Sequence, residues 1–328
     1  MGSLGNNETN VNYRIFDVVV SCNFPLYGLT NNADEEADIT VEKYNAAAVN
    51  EQGFEWIHEW EAPDGEVTLA CARNGDKYLL RFPYRADFQI DLRYQLVRIF
   101  PHPLVSEKTV AQLLLDQVIP RLLFHRGRMV IHASAVMLKS GHVIAFLGNT
   151  GRGKSTLATS FHQAGDRLIT DDCLLIERSD SSLIGMPAYP GLRLWPDSFT
   201  ALFSRSDQSE ATTLETGKIK LTIDPGGNEN AKRQLAALFI LGDPTGFGMN
   251  EPTRIELVHG RAVMMAMVEA AFVLDLVSHD SLRRNFSLIG DVTQSKVPVY
   301  TLDYPRQYAL LPMVRAMVEK TVQADSAC

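Results

Sequence analysis

Residues Val143–Thr156 read V-I-A-F-L-G-N-T-G-R-G-K-S-T, and this stretch limits the folds open to the chain more than any other. A short apolar run, Val143 to Leu147, breaks into a turn carrying Gly148, Gly151 and Gly153. Lys154, Ser155 and Thr156 follow, then a helical pattern through Leu157, Ala158, Phe161 and Ala164. Strand, glycine-rich loop and helix, in that order, are the context that G-x-x-x-x-G-K-[ST] requires. Over Gly148, Asn149, Thr150, Gly151, Arg152 and Gly153 the backbone can turn its N–H groups inward around a polyphosphate, and the helix start adds partial positive charge. Lys154 is expected to neutralise the β- and γ-phosphates, and the Ser155 hydroxyl to hold Mg²⁺. The bland alternative is a loop that only turns a corner; the flanking strand and helix weigh against it. The expectation is an α/β domain that binds a nucleoside triphosphate.

Composition narrows the partners. The 328 residues leave room for two domains or one large one. At 45% hydrophobic and 21% charged the chain has an ordinary globular balance. A formal net charge of −8 argues against nucleic acid, because no basic field would neutralise its phosphates. Cys22, Cys71, Cys173 and Cys328 lie far apart, as suits reduced thiols rather than a disulfide framework or a zinc site. The opening M-G-S-L-G-N-N-E-T-N has neither a basic nor an apolar region of the secretory kind. The most apolar later run, Ala262 to Val277, is interrupted by Glu269 and Asp275; it is too short and too charged to span a bilayer and reads as a buried helix. A cytoplasmic protein with no membrane partner is expected. The oligomeric state is not legible.

Residues 1 to about 10 read as a disordered polar tail. Tyr13 to Ser21 reads as one strand, and Asp34, Glu35, Glu36 and Asp38 as a solvated acidic loop or a substrate-steering surface. Phe54 to Trp60 alternates like a half-buried strand, with Trp56 and Trp60 expected in the core. Asn74-Gly75-Asp76 between Thr68–Ala72 and Tyr78–Phe82 is a hairpin signal, and Ala86 to Leu92 alternates again. Pro101-His102-Pro103 marks a boundary, so residues 1–104 are expected as a β-rich N-terminal domain and 105–328 as the catalytic one.

A helix follows, capped by Ser106, with a stripe through Val110, Leu113, Leu114, Val118, Leu122 and Leu123, and ended by Arg126-Gly127-Arg128. Met129 to Met137 is then a strand carrying His132 and Ser134. After the loop helix, Arg167-Leu168-Ile169 runs into Thr170-Asp171-Asp172 and continues as Cys173–Ile176. Two acids at the end of an apolar strand, shortly after a phosphate loop, are where support for phosphate-bound Mg²⁺ is expected. The second could take a proton from an attacking hydroxyl. The alternative is a turn whose aspartates cap backbone amides. Arg193 reads equally as a phosphate contact or a surface salt bridge. Lys218 and Lys220 read as phosphate contacts or solvated lysines at the exit of a loop over 204–216, and Asp224–Gly227 as a turn. Leu235–Leu241, Ile255–Val258 and Val297–Leu302 read as strands, and Met264–Val277, Leu282–Ile289 and Tyr308–Val322 as helices.

The order H-A-S-A-V (132–136), G-N-T-G-R-G-K-S-T (148–156) and T-D-D (170–172) resembles the catalytic domain of the HPr kinase/phosphorylase family. The eighteen-residue step from Lys154 to Asp172 is similar too. That family shares a phosphate-loop fold with ATP-dependent phosphoenolpyruvate carboxykinase, and the resemblance covers about residues 105 to 325. It implies ATP and Mg²⁺, with Lys154 and Ser155 as phosphate and metal contacts and Asp171 as a metal-associated acid. It implies Asp172 as the general base toward a seryl hydroxyl, with His132 orienting the base or the γ-phosphate; by itself His132 would read as a core histidine. The bifunctional members carry a metal-binding glutamate after the Asp pair, whereas Ala188–Arg193 holds no acid, which argues against phosphorolysis and points to a kinase-only or divergent enzyme. Y-R-I-F-D (13–17), F-P-L (24–26) and V-P-V-Y-T-L-D-Y-P-R (297–306) are similar to divergent peptide-tailoring members, among them kinases of lasso-peptide precursors.

The sequence therefore predicts an ATP- and Mg²⁺-dependent kinase acting on a serine of a peptide or small protein, with the peptide adding a strand to the N-terminal domain. A small-molecule kinase and a non-catalytic ATP-binding regulator are the rivals.

Overall fold

The computed structural model describes residues 10–29, 31, 34–44, 48–62, 64–189, 191–203, 212–213, 217–221, 232–248 and 251–326. The expected tail at 1–9, most of the loop at 204–216 and the turn at 224–227 lie outside the described residues. The chain is mixed α/β and divides into two compact units.

The first unit lies within Met1–His125 and Val273–Arg284, so its main boundary falls at residue 125, beyond the division expected at 104. Its sheet comprises β1 (Val11–Ile15), β2 (Val18–Cys22), β3 (Ile39–Lys43), β4 (Glu55–Glu61), β5 (Val67–Asn74), β6 (Lys77–Phe82), β7 (Ala86–Asp91) and β8 (Leu96–Pro101). Their spatial order is β1-β2-β3-β8-β7-β6-β5-β4. The hairpin at Gly75-Asp76 forms as its turn chemistry predicts, joining β5 to β6. The single strand expected over Tyr13–Ser21 is instead a hairpin. Phe16 turns the chain at a φ of 57° with its ring fully buried, so burial holds a conformation that no glycine announces.

β4 departs from expectation more widely. It is the outermost strand and none of its residues is buried; Trp56 is 44% exposed. The indoles lie under guanidinium planes rather than in the core, Trp56 at 5.0 Å from Arg81 and Trp60 at 5.3 Å from Arg121.

A helical segment follows as α1 (Glu107–Leu113), one π turn (Leu114–Val118) and α2 (Ile119–His125). Ser106 accepts from the Thr109 N–H at 3.2 Å, the cap its sequence position predicts. The π turn comes just before Pro120, which has no N–H to continue the ladder.

The second unit lies within Arg126–Phe272 and Asn285–Cys328. It contains β9 (Met129–Met137), β10 (Val143–Leu147), α3 (Lys154–Gln163), β11 (Arg167–Thr170), β12 (Cys173–Ser179), β13 (Ser182–Pro187), β14 (Leu192–Leu194) and α4 (Pro196–Leu202). There follow β15 (Thr212–Thr213), β16 (Ile219–Leu221), β17 (Arg233–Leu241), β18 (Arg254–Val258), α5 (Arg261–Ala270), the part of α6 (His279–Thr293) from Asn285 on, β19 (Val299–Asp303) and α7 (Leu311–Ser326). The main sheet runs β10-β9-β12-β13-β17-β19-β18, with β11 also on β9; β14, β16 and β15 form a small sheet. β10 pairs parallel with β17, and β17 parallel with β19.

α3 packs Leu157, Ala158 and Phe161 onto this sheet. Phe161 stacks on Phe146 at 5.7 Å, and Phe239 on Tyr300 at 5.4 Å. α7 closes the cluster with Val314, Val318 and Val322.

The buried helix expected over Ala262–Val277 is shorter and only half buried. α5 ends at Ala270, Ala271 bridges to Ile131, and Met264, Met265 and Val268 are exposed. Asp275 stops any continuation by accepting the N–H groups of Val277 at 2.9 Å and Ser278 at 2.8 Å. Among the described residues no helix is long and apolar enough to cross a membrane. Cys22, Cys71 and Cys173 are buried and, among the described residues, take part in no disulfide.

Candidate active site

Parallel pairing brings the carboxyl ends of β10, β17 and β19 to one place, where open α/β sheets collect their ligands. The glycine-rich loop leaves β10 there, Gly242-Asp243 leaves β17, and Tyr304-Pro305-Arg306 leaves β19. Gly148 has a φ of 134°, and a Cβ on it would stand 3.1 Å from the Leu241 carbonyl. Gly153 sits in the left-handed region at the start of α3, a turn that frees the loop amides to face inward. Lys154 is buried beneath the loop and donates to the carbonyls of Gly148 at 2.6 Å and Asn149 at 3.2 Å. Burial pushes its ammonium down to about 8, against the pull of Asp172 and Asp171. Arg152 turns to Asp243 at 3.4 Å.

The acids arise from a break between β11 and β12, both of which pair with the same edge of β9. Thr170 pairs with Ala135 and Cys173 with His132, so Asp171 and Asp172 bulge out opposite Ala133 and Ser134. The two-residue period of β9 puts His132 and Ser134 on one face, one beside each acid. Ser134 Oγ lies 2.9 Å from Asp171 Oδ1, and His132 Nε2 lies 3.9 Å from Asp172 Oδ1. The spacing of the H-A-S pattern thus maps onto the spacing of the pair.

The two carboxylates have different surroundings. Asp171 is 2% exposed and accepts from Ser134 Oγ, from the Arg193 N–H at 2.9 Å and from the Ser155 hydroxyl. Burial and the neighbouring Asp172 charge raise its pKa. Asp172 faces the cavity and is gripped by Arg193, whose Nε donates to Oδ2 at 2.9 Å and whose Nη2 joins it. Burial alone would raise Asp172, but the Arg193 cation outweighs it and holds the carboxyl below its usual range. Burial, then the Lys154 charge, drives His132 down to about 3, so its imidazole is neutral at ordinary pH. It lies flat against Phe272 at 6.1 Å.

These groups line a cavity of about 340 Å³. Of the residues singled out in the sequence, Thr150, Gly151, Gly153, Lys154, Ser155, Thr156, His132, Asp172, Arg193 and Lys218 face it. Asp171 lies beneath its wall and reaches it through Ser155. Arg193 is not the surface bridge of one expectation but an inward ion pair with 12% of its side chain exposed. Lys218 lies 5.4 Å over the Trp195 ring.

Sequence reasoning missed the opposite wall: Trp195, Asp197, Ser198, Tyr304, Arg306 and Tyr308. The available signal was Y-P-R at the end of a late apolar strand, which becomes meaningful only once β19 is known to run parallel to β10.

No protein-family model matches the chain. No curated protein matches it either. Among solved structures it is similar to the HPr(Ser) kinase/phosphatase from Coxiella burnetii at 13% sequence identity, with a TM-score of 0.31, over 60% of this chain and 98% of that one. At that distance nothing about this chain's chemistry follows from the likeness.

A hard cation fits the donor set. The Ser155 hydroxyl, backed by the Asp171 carboxylate, offers oxygen ligands of the kind Mg²⁺ takes alongside phosphate oxygens. Among the described residues no group of three or more His, Cys, Asp or Glu could hold a metal alone.

Proposed function

We propose that this chain is an ATP- and Mg²⁺-dependent phosphotransferase that moves the γ-phosphate to a serine hydroxyl of a peptide or small protein. The observation carrying this reading is that an ionised carboxylate, Asp172, and the loop lysine, Lys154, open onto one cavity. Triphosphate oxygens replace the Gly148 and Asn149 carbonyls as partners of Lys154, whose ammonium then holds its proton more firmly. Ser155, with Asp171 behind it, would hold the cation, which when bound would supply positive charge to the phosphate groups.

As the acceptor oxygen bonds to the γ-phosphorus, the bond to the β–γ bridging oxygen breaks. Asp172 takes the hydroxyl proton, and the nucleoside diphosphate leaves beside Lys154. Neutral His132 adds no competing charge 3.9 Å from Asp172. In phosphoryl transfer the protein supplies position and charge more than covalent chemistry, so these few groups suffice.

The serine acceptor rests on the sequence resemblance, as does the finer reading that it belongs to a ribosomal precursor peptide of the lasso type. The lack of an acid in Ala188–Arg193 favours transfer in one direction. Incubation with γ-labelled ATP and separate pools of peptides and metabolites tests the reading. Label on peptide phosphoserine is expected; label on a metabolite makes it a small-molecule kinase, and binding without transfer makes it a regulator.

A further inference from the structure

The second wall of the cavity has a use that the phosphate chemistry leaves open. A phosphate loop fixes the direction of its ligand: Lys154 reaches the β- and γ-phosphates, and the backbone at the start of α3 cradles the α and β positions. The γ end therefore lies toward Asp172, and whatever is attached to the α-phosphate continues past Thr156. That exit is built from aromatic rings.

Thr156 Oγ1 lies 3.1 Å from Ser198 Oγ, Ser198 Oγ lies 3.1 Å from the Tyr308 hydroxyl, and that hydroxyl donates to Asp197 Oδ2 at 2.8 Å. The chain of bonds pins the Tyr308 ring to the first turn of the loop helix. Trp195 precedes Asp197 on the same wall, with Gly217 and the Lys218 ammonium against its ring. Both rings remain open where they meet the cavity, Trp195 at 48% and Tyr308 at 39% exposure. Two partly exposed aromatic rings in a concave wall supply stacking surface, and the pinned Tyr308 does so without further ordering cost.

We infer that Trp195 and Tyr308, the latter held by Asp197 and Ser198, form a nucleobase subsite in which a purine stacks beyond the loop. This inference rests on the phosphate-loop reading, and the test separates the two by comparing ATP with inorganic tripolyphosphate, which lacks the nucleoside. Each is titrated in the presence of Mg²⁺ against the parent chain and the Trp195→Ala, Trp195→Phe and Tyr308→Ala variants.

The parent is expected to bind ATP more tightly than tripolyphosphate. Trp195→Ala and Tyr308→Ala should each weaken ATP by roughly 5- to 150-fold, the range for losing one base–aromatic stack. Tripolyphosphate affinity should stay within about twofold, which also certifies that the variants are folded, and Trp195→Phe should keep most of the ATP affinity. Equal losses for both ligands, or unchanged ATP affinity in both alanine variants, would overturn the subsite while leaving the loop reading intact. A parent chain that binds neither ligand would overturn both.

Discussion

Arg193 donates from Nε to Asp172 Oδ2 at 2.9 Å, so the carboxylate proposed as the general base is held by a cation. The same residue's backbone N–H donates to Asp171 Oδ2 at 2.9 Å. One position on a three-residue strand thus sets the orientation of both acids.

Arg193→Ala leaves Asp172 without its fork. A hydrogen bond to a charged group is worth about 1.5–3 kcal/mol, so kcat should fall roughly 10- to 150-fold. Arg193→Lys restores the charge but not the two-pronged geometry, and should recover only part. Steady-state kinetics check this, with the nucleotide KM expected to move less than kcat. A rise in KM alone would make Arg193 a phosphate contact.

Ser134→Ala removes one donor from a carboxylate that is almost wholly buried. An unsatisfied buried acceptor costs about 1–3 kcal/mol, which should appear as a lower melting temperature. Because Asp171 reaches the cavity through Ser155, the Mg²⁺ concentration needed for half-maximal ATP binding should rise. A Mg²⁺ titration at fixed ATP reads it.

In the first unit, Asp275 accepts from the Tyr78 hydroxyl at 2.7 Å, from Arg73 at 3.2 Å and from two backbone N–H groups. Burial would raise its pKa; the Ser278 N–H, the Tyr78 hydroxyl, the Val277 N–H and the Arg73 charge outweigh that and lower it. The folded value is the lower one. Its stabilisation is therefore complete above the unfolded value of about 3.9 and drains away as pH falls through the folded value. Asp275→Asn should cost about 2 kcal/mol near neutrality and flatten the acid limb of the stability curve, as measured by denaturant unfolding from pH 7 to pH 2.

The strand, glycine-rich loop and helix over Val143–Gln163 were legible because their signals are local: an apolar run, closely spaced glycines and a helical pattern stand next to one another in the chain. The H-A-S pattern and the Asp pair were legible as separate strands, and their meeting across β9 follows from the two-residue period. The far wall was not legible, since Arg306 reaches the loop through parallel pairing of strands distant in sequence, while Trp195 follows β14 of the separate small sheet. Trp56 and Trp60 misled for a related reason. Alternation marks a strand, but whether either face is covered depends on its place in the sheet, and β4 is an edge. Phe16 hid a turn because burial, not glycine, holds its φ.

The account stands most directly on Asp172. Single-turnover transfer at saturating ATP and Mg²⁺, compared between the parent and Asp172→Asn, measures the step proposed for this carboxylate. General-base contributions of about 10²–10⁴ predict a loss of at least 100-fold in the transfer rate, with ATP affinity within about threefold of the parent. Transfer at the parent's rate by Asp172→Asn would contradict the mechanism outright.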